Sequence, residues 1–364
     1  MKIPFLDLRI TDAQERVELL NAVGRVFDHG RMIMGPEVAE LESEVATYCT
    51  RRYAVAVSSG TTALFLALKS LGINEGDEVI TTSLSWIATA NAISLTGARL
   101  VFADVREDLN IDPDSVRRLV ARRVPRAIVP VHFSGKVCAV EELAGIAQQC
   151  GAALVEDAAQ AFGAQHQGQV AGSFGKLAAF SMNPMKVLGA CGEAGMVVCD
   201  DTDLYERLQA LRYNGTVNKE TCIEKSLNGR MDTMQAAILL QRLRRVSQGI
   251  NTRRAIAKMY TALLKDIVGT PMDYQGDIDS YYSYTILADR RQELKNFLLQ
   301  EGIETKVQHP ILMSKQPAYA QNAVGEWSTA EKVVTRILCL PAHDKMSDDD
   351  VRFVASKVRE FYKA

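Results

Sequence analysis

From Ala54 to Cys199, short apolar runs recur: AVAV (54–57), EVITT (78–82), LVFADV (100–105), AIVPVHF (127–133), AALVED (152–157), LAAF (177–180) and MVVC (196–199). Runs this short, with little polar alternation, suit strands buried on both faces. Most are separated by stretches with apolar residues at helical spacing, such as Asp112 to Arg122, where Asp112 is placed to cap and Pro113 to open the first turn, and Val140 to Cys150. Strand and helix alternating in this way imply an α/β fold: a mostly parallel sheet covered on both faces, with ligands gathered at the carboxyl ends of its strands.

Two stretches near those strand ends carry chemistry. In AVAVSSGTTALFLALKSLG a strand turns through Ser58, Ser59, Gly60, Thr61 and Thr62 into a helix. Unpaired amides at such a helix start can bind a phosphate, although the same residues also serve a well-capped helix with no ligand. In FSMNPMKVLGACGEAGM, Lys186 follows a strand broken by Ser181, Asn183 and Pro184, and Gly189, Gly192 and Gly195 allow tight turns before the next strand. A lysine projecting from that loop into a crowded interior loses solvation, so its pKa falls and its amine becomes able to attack a carbonyl. Trp86 and Asp157 also follow strand ends, where a tryptophan can equally fill a core and an aspartate can equally cap a helix.

The 364 residues are enough for two domains or one large α/β domain with an appendage, and a net charge of -2 gives no electrostatic basis for binding nucleic acid or an anionic membrane. MKIPFLDLRI has neither a long apolar run nor a cleavage-site pattern, so no signal peptide or membrane span is expected and the cytoplasm is the expected location. Seven scattered cysteines without CxxC spacing and five dispersed histidines suggest neither disulfides nor a metal. Helices are expected at Thr11 to His29 and Glu37 to Tyr48, and Lys219 to Leu227 is polar enough for a mobile loop. A domain boundary is placed within the long helical stretch after Met231, dividing 1–245, an N-terminal arm and large domain, from 246–364, a small α+β domain. That small domain is expected to contain strands YYSYTILAD and GIETKV and a last helix from Asp348 to Tyr362, with the N-terminal residues folding back beside it.

A cofactor with a phosphate, a pyridinium ring and an aldehyde needs a helix-start anion site, an aromatic face, a carboxylate for the ring nitrogen and a lysine. Ser59-Gly60-Thr61-Thr62, Trp86, Asp157 and Lys186 offer these in chain order. IPFLDL, IMGPEV, SSGTTAL, GDEVI, VEDAAQAFGA, FSMNPMK, NGRMDTMQAAIL and QPAY together resemble the DegT/StrS-type sugar aminotransferases, nearly end to end. The resemblance implies the aspartate-aminotransferase-like fold (fold type I) and pyridoxal 5′-phosphate as cofactor. By the same resemblance Lys186 bonds to the cofactor's aldehyde, Asp157 pairs with its ring nitrogen, Gln160 approaches its phenolic oxygen and Trp86 stacks on it. Ser59, Gly60, Thr61 and Ser181 would hold the phosphate. Asn228 matches a residue that reaches the neighbouring subunit's phosphate, implying a homodimer with shared active sites.

The resemblance also implies the reaction: an amino group moves from an amino acid, L-glutamate, to a keto sugar carried on a nucleotide. Leu227, Met182-Asn183 and Gln308-His309-Pro310 depart from common family patterns at positions near the sugar in relatives, so Asn183 and His309 are candidate substrate contacts. Arg230 is a candidate for the donor. The pattern P-x-K-x-L-G-x-x-G-E resembles members acting on 3-keto more than on 4-keto sugars. Rival readings are a sugar dehydratase, whose relatives have histidine in place of the lysine, and a non-catalytic cofactor-binding regulator.

Overall fold

The computed structural model describes residues 2–363. The arm enters at Ile3, whose amide donates to the Gly302 carbonyl at 2.8 Å, so the first residues do fold back onto the C-terminal part of the chain. Helix α1 (Ala13–His29) is capped by the Asp12 carboxylate and stopped by Gly30 in the left-handed region, and α2 (Pro36–Tyr48) starts on a proline. Then come β1 (Tyr53–Val57), α3 (Gly60–Ser70), β2 (Glu78–Thr82), α4 (Ala88–Ser94), β3 (Arg99–Ala103), α5 (Pro113–Arg122), β4 (Ala127–Val129), α6 (Val140–Cys150) and β5 (Ala153–Asp157). A short hairpin, β6 (Gln165–His166) and β7 (Gln169–Val170), precedes β8 (Leu177–Ser181), β9 (Gly195–Cys199) and α7 (Thr202–Arg212).

Strands β10 (Thr216–Val217) and β11 (Thr221–Cys222) form another hairpin where a mobile loop was expected. Its end is tied by Glu224, whose two oxygens accept from the Arg207 guanidinium at 3.0 Å each. Helices α8 (Thr233–Leu243) and α9 (Val246–Leu264) follow, and the expected 245/246 division falls in the step between them. The remaining elements are β12 (Tyr284–Leu287), α10 (Arg291–Gln300), β13 (Val324–Gly325), α11 (Ser328–Val333), β14 (Ile337–Leu340) and α12 (Asp348–Lys363).

The main sheet has eight strands in the order β1-β9-β8-β5-β4-β2-β3-β13. Only β9 runs against the others, pairing antiparallel with β1 and β8. Apolar side chains such as Val55, Leu66 and Leu177 pack on one face of the sheet, and Leu41, Phe180 and Leu239 on the other, the double covering that the apolar runs imply. A second core, with Tyr260, Tyr284 and Val354, surrounds the two-stranded sheet of β12 and β14. The chain after 245 is not confined there, because β13 pairs with β3 at the edge of the main sheet. GIETKV is a correction: it is extended but not a strand, touching its neighbours only through the isolated bridges Ile3 to Ile303 and Lys306 to Cys339.

Candidate active site

The parallel strands bring Val57, Thr82, Asp157 and Ser181 to one end of the sheet, with Asp157 opposite Ala179 and Ser181 opposite Gly195 in the ladder. Above β1 the chain turns directly into α3, where Ser59 caps the helix by accepting the Thr62 amide at 3.1 Å. The amides of Gly60 and Thr61 lie in the first helical turn and have no intrahelical acceptor. Gly60 is required by close approach: a Cβ there would stand 2.6 Å from the Ser181 Cβ. Gly189 and Gly195 act similarly, since added Cβ atoms would strike the Pro184 and Ser59 carbonyl groups, and neither has a positive φ. At these two glycines it is close packing, not a left-handed backbone, that requires the missing side chain.

A cavity of about 580 Å³ opens at this end of the sheet. Ser59, Gly60, Thr61, Trp86, Asp157, Gln160, Ser181, Asn183, Lys186 and His309 line it. Lys186 is half-buried in the loop after β8, its amide donating to the Asn183 carbonyl at 2.8 Å. Its ammonium lies 4.3 Å from the centre of the Tyr282 ring and forms no ion pair with any described residue. Burial lowers its pKa to about 8; Asp157 and Glu193 pull it upward, and Lys306 pushes it further down.

Asp157 accepts from Thr89 Oγ1 at 2.7 Å and from the Ala159 amide at 3.1 Å. Burial nevertheless holds its carboxyl above the usual carboxylate range, against the pull of Thr89 and of the Ala159 amide. A carboxyl in that condition favours a cationic partner, such as a protonated ring nitrogen. Gln160 accepts the Ser134 amide at 2.9 Å through Oε1, which leaves its NH₂ group as the free donor toward the cavity. Trp86 is 62% exposed and lies on the rim, 6.0 Å from the His309 ring. Burial, aided by Lys186 and Lys306, lowers His309 to about 3, so the imidazole is neutral. Asn183 donates to Glu193 at 2.6 Å.

Two expected site residues lie elsewhere. Asn228 is exposed and accepts from Arg230 Nε at 2.9 Å, while the Arg230 guanidinium covers the Tyr213 ring at 4.5 Å. Neither lines the cavity of its own chain. Thr89, Glu193, Tyr282 and Lys306 line the cavity and were not singled out from the sequence. Thr89 carried a local signal, one turn after Trp86 at the start of a helix. Tyr282 and Lys306 had none, because they arrive from the C-terminal part of the chain.

The residues present fit a phosphorylated pyridine aldehyde. Helix-start amides with no helical acceptor line a cradle too tight for a Cβ at Gly60, and an acid held above its normal range and an amine with a lowered pKa line the same cavity. No group of three or more metal-binding side chains is present among the described residues.

Comparison with known proteins agrees with this geometry. Residues 13–359 match the DegT/DnrJ/EryC1/StrS aminotransferase family. The chain is 38% identical over 365 residues to the dTDP-3-amino-3,4,6-trideoxy-alpha-D-glucose transaminase of Streptomyces venezuelae, covering 99% of this chain and 96% of that protein. It is 35% identical over 370 residues to a protein of Geobacillus stearothermophilus called a pleiotropic regulatory protein, covering 100% and 99%. Among solved structures, the crystal structure of S. venezuelae DesV in complex with a ketimine intermediate matches with a TM-score of 0.96 at 38% identity, covering 100% of this chain and 99% of that one.

Proposed function

Since the chain belongs to the DegT/DnrJ/EryC1/StrS aminotransferase family, we propose that it is a pyridoxal 5′-phosphate-dependent enzyme that moves an amino group from L-glutamate to the 3-keto group of a nucleotide-linked hexose. The observation that carries the reading is Lys186: a half-buried amine with its pKa lowered to about 8, which lines with Asp157 a cavity that also includes the start of α3. When bound, pyridoxal phosphate supplies an aldehyde for the amino group and a ring that stores electrons.

The chain's own residues do the rest. The amides of Gly60 and Thr61 and the hydroxyls of Ser59 and Ser181 bind the phosphate, and Asp157 pairs with the ring nitrogen. Gln160 donates through its NH₂ group, and Trp86 covers the ring from the rim. Lys186 Nζ removes the proton from the donor's α-carbon and later returns a proton on the sugar side, so one side chain serves as base and acid. Asn183 and His309, on the cavity wall, contact the sugar.

The preference for C3 is supported by the P-x-K-x-L-G-x-x-G-E pattern and by the 3-amino sugar in the name of the Streptomyces venezuelae relative. The regulatory name of the Geobacillus relative supports a second reading, a cofactor-binding regulator. Incubation of the purified protein with pyridoxal phosphate, L-glutamate and either 3-keto or 4-keto nucleotide hexoses separates these, with amino products read by mass spectrometry. Amination of the 3-keto substrate is expected. Amination of the 4-keto sugar alone moves the reaction to C4, and no product from either leaves the regulator.

The assembly is a homodimer in which Asn228 of each subunit serves the neighbour's site. Its exposed place outside its own cavity supports this, as do Val17, Leu20 and Phe27 exposed on α1. Mixing Lys186→Ala with Asn228→Ala subunits should restore activity that neither has alone, because a hybrid dimer holds one intact site. The reaction belongs in the cytoplasm, supported by seven unpaired cysteines. No helix among the described residues is long and apolar enough to cross a membrane.

A further inference from the structure

An amino-acid donor brings a carboxylate on the carbon next to the transferred nitrogen. The cavity that accepts the nitrogen must therefore also accept an anion, on the side away from the phosphate cradle. Among the residues lining the cavity, the only cationic side chains are Lys186 and Lys306, since the buried His309 imidazole is neutral. Lys186 must shed its proton to act as the base, so it cannot also be the standing cation for that carboxylate.

Lys306 differs in every respect that matters. It forms no ion pair among the described residues, whereas Glu193 on the same wall is engaged by Asn183. Its backbone is fixed to β14 by two hydrogen bonds with Cys339, donating at 3.1 Å and accepting at 2.8 Å. The extended segment is thus held against β14, with the Lys306 ammonium 6.0 Å from the centre of the Phe5 ring and no carboxylate paired with it among the described residues. Lys306 is near enough to Lys186 for its charge to lower that lysine's pKa, so an anion placed against Lys306 lies close to the reacting amine.

We propose that Lys306 is the receptor for the α-carboxylate of the amino donor. The assignment rests on the aminotransferase reading above, and it replaces Arg230 as the cation expected to meet glutamate. Lys306 fixes which end of the donor faces Lys186 and favours amines that carry an anion at that carbon.

The test uses the cofactor-loaded protein and its Lys306→Gln and Lys306→Arg variants, each shown to be folded by its bound cofactor's visible absorption band. Loss of that band on mixing with L-glutamate reports the first half-reaction alone. The half-saturating glutamate concentration should rise about 10- to 100-fold in Lys306→Gln, the range for losing one charge-assisted hydrogen bond, with a much smaller change in limiting rate. Lys306→Arg should recover most of it. With 4-aminobutanoate, which is glutamate without its α-carboxylate, the variants and the unaltered protein should react alike. The assignment is overturned by unchanged glutamate saturation in Lys306→Gln, by an equal loss with 4-aminobutanoate, or by an effect confined to the keto-sugar half-reaction. An unaltered protein inert to both glutamate and keto sugars would instead sink the aminotransferase reading itself.

Discussion

Glu156 and Asp157 are consecutive on β5, both fully buried, and they point to opposite faces of the sheet. Behind the sheet, Glu156 accepts the Phe174 and Gly175 amides at 2.8 and 2.6 Å, the Gly172 amide at 2.7 Å and the His132 ring at 2.9 Å. Burial pushes its carboxyl up, yet the His132 hydrogen bond and the glycine amides outweigh it, and the pKa falls below the ordinary value. On the cavity side Asp157 has two donors, and burial wins. Two neighbouring acids with equal burial are thus pushed in opposite directions by the number of donors each finds. The rear face is a closed hydrogen-bonded system, while the front face has been left one cation short.

The comparison predicts activity losses in front and stability losses behind. The largest effect is in front: Lys186→Ala should reduce turnover by more than about 10⁴-fold with its thermal unfolding little changed, because the side chain is both tether and base. Full transamination by that variant would break the comparison outright. Asp157→Asn should follow with a loss of about 10²- to 10⁴-fold in kcat, measured with cofactor in excess.

Behind the sheet, Glu156→Gln should destabilise by about 3 kcal/mol in urea unfolding, the scale for stripping one partner from a buried charged system. Its activity per folded molecule should stay within a few-fold. Equal losses of activity and stability in both variants would show that the two faces are not separate.

Smaller effects come from pH. In the cofactor-free protein the rate of pyridoxal phosphate capture, read from its visible band, should rise with pH through about 8 as Lys186 loses its proton. A rise centred near the ordinary lysine value of 10.5 would contradict the burial argument. The two acids contribute to stability with opposite signs. Glu156, depressed below 4.5, adds stability that is present above that value and lost as pH falls through its folded pKa. Asp157, raised above 3.8, holds its proton in the folded state after the unfolded chain has lost it, so its contribution declines as pH rises through that window. Asp157→Asn should therefore leave the cofactor-free protein as stable as before or up to about 1 kcal/mol more so, a gain that disappears when cofactor is added.

Much of this front face was legible because each piece is local. SSGTT announces a helix start, and NPMK places a lysine in a loop between two apolar strands. Glu156 gave no warning, being one letter in an apolar run whose four partners come from 132 and 172–175. Tyr282 and Lys306 were invisible for the same reason: 96 and 120 residues beyond Lys186, they meet it only through tertiary folding. GIETKV read as a strand from its β-branched residues, but its neighbours offer only single bridges, so propensity had no ladder to complete. The hairpin of β10 and β11 was missed because its polar letters suit a loop equally well, and only the distant Arg207 pins it.

The two-residue strand β13 has a practical corollary. Ala323, Val324 and Trp327, from the last part of the chain, also pack against the apolar layers of the main sheet. A truncated protein ending at 245 would expose the backbone of β3 along its whole outer margin, together with the oily surface that these residues shield. Such a fragment should clump rather than fold, whereas restoring 320–335 as a separate peptide should make it soluble.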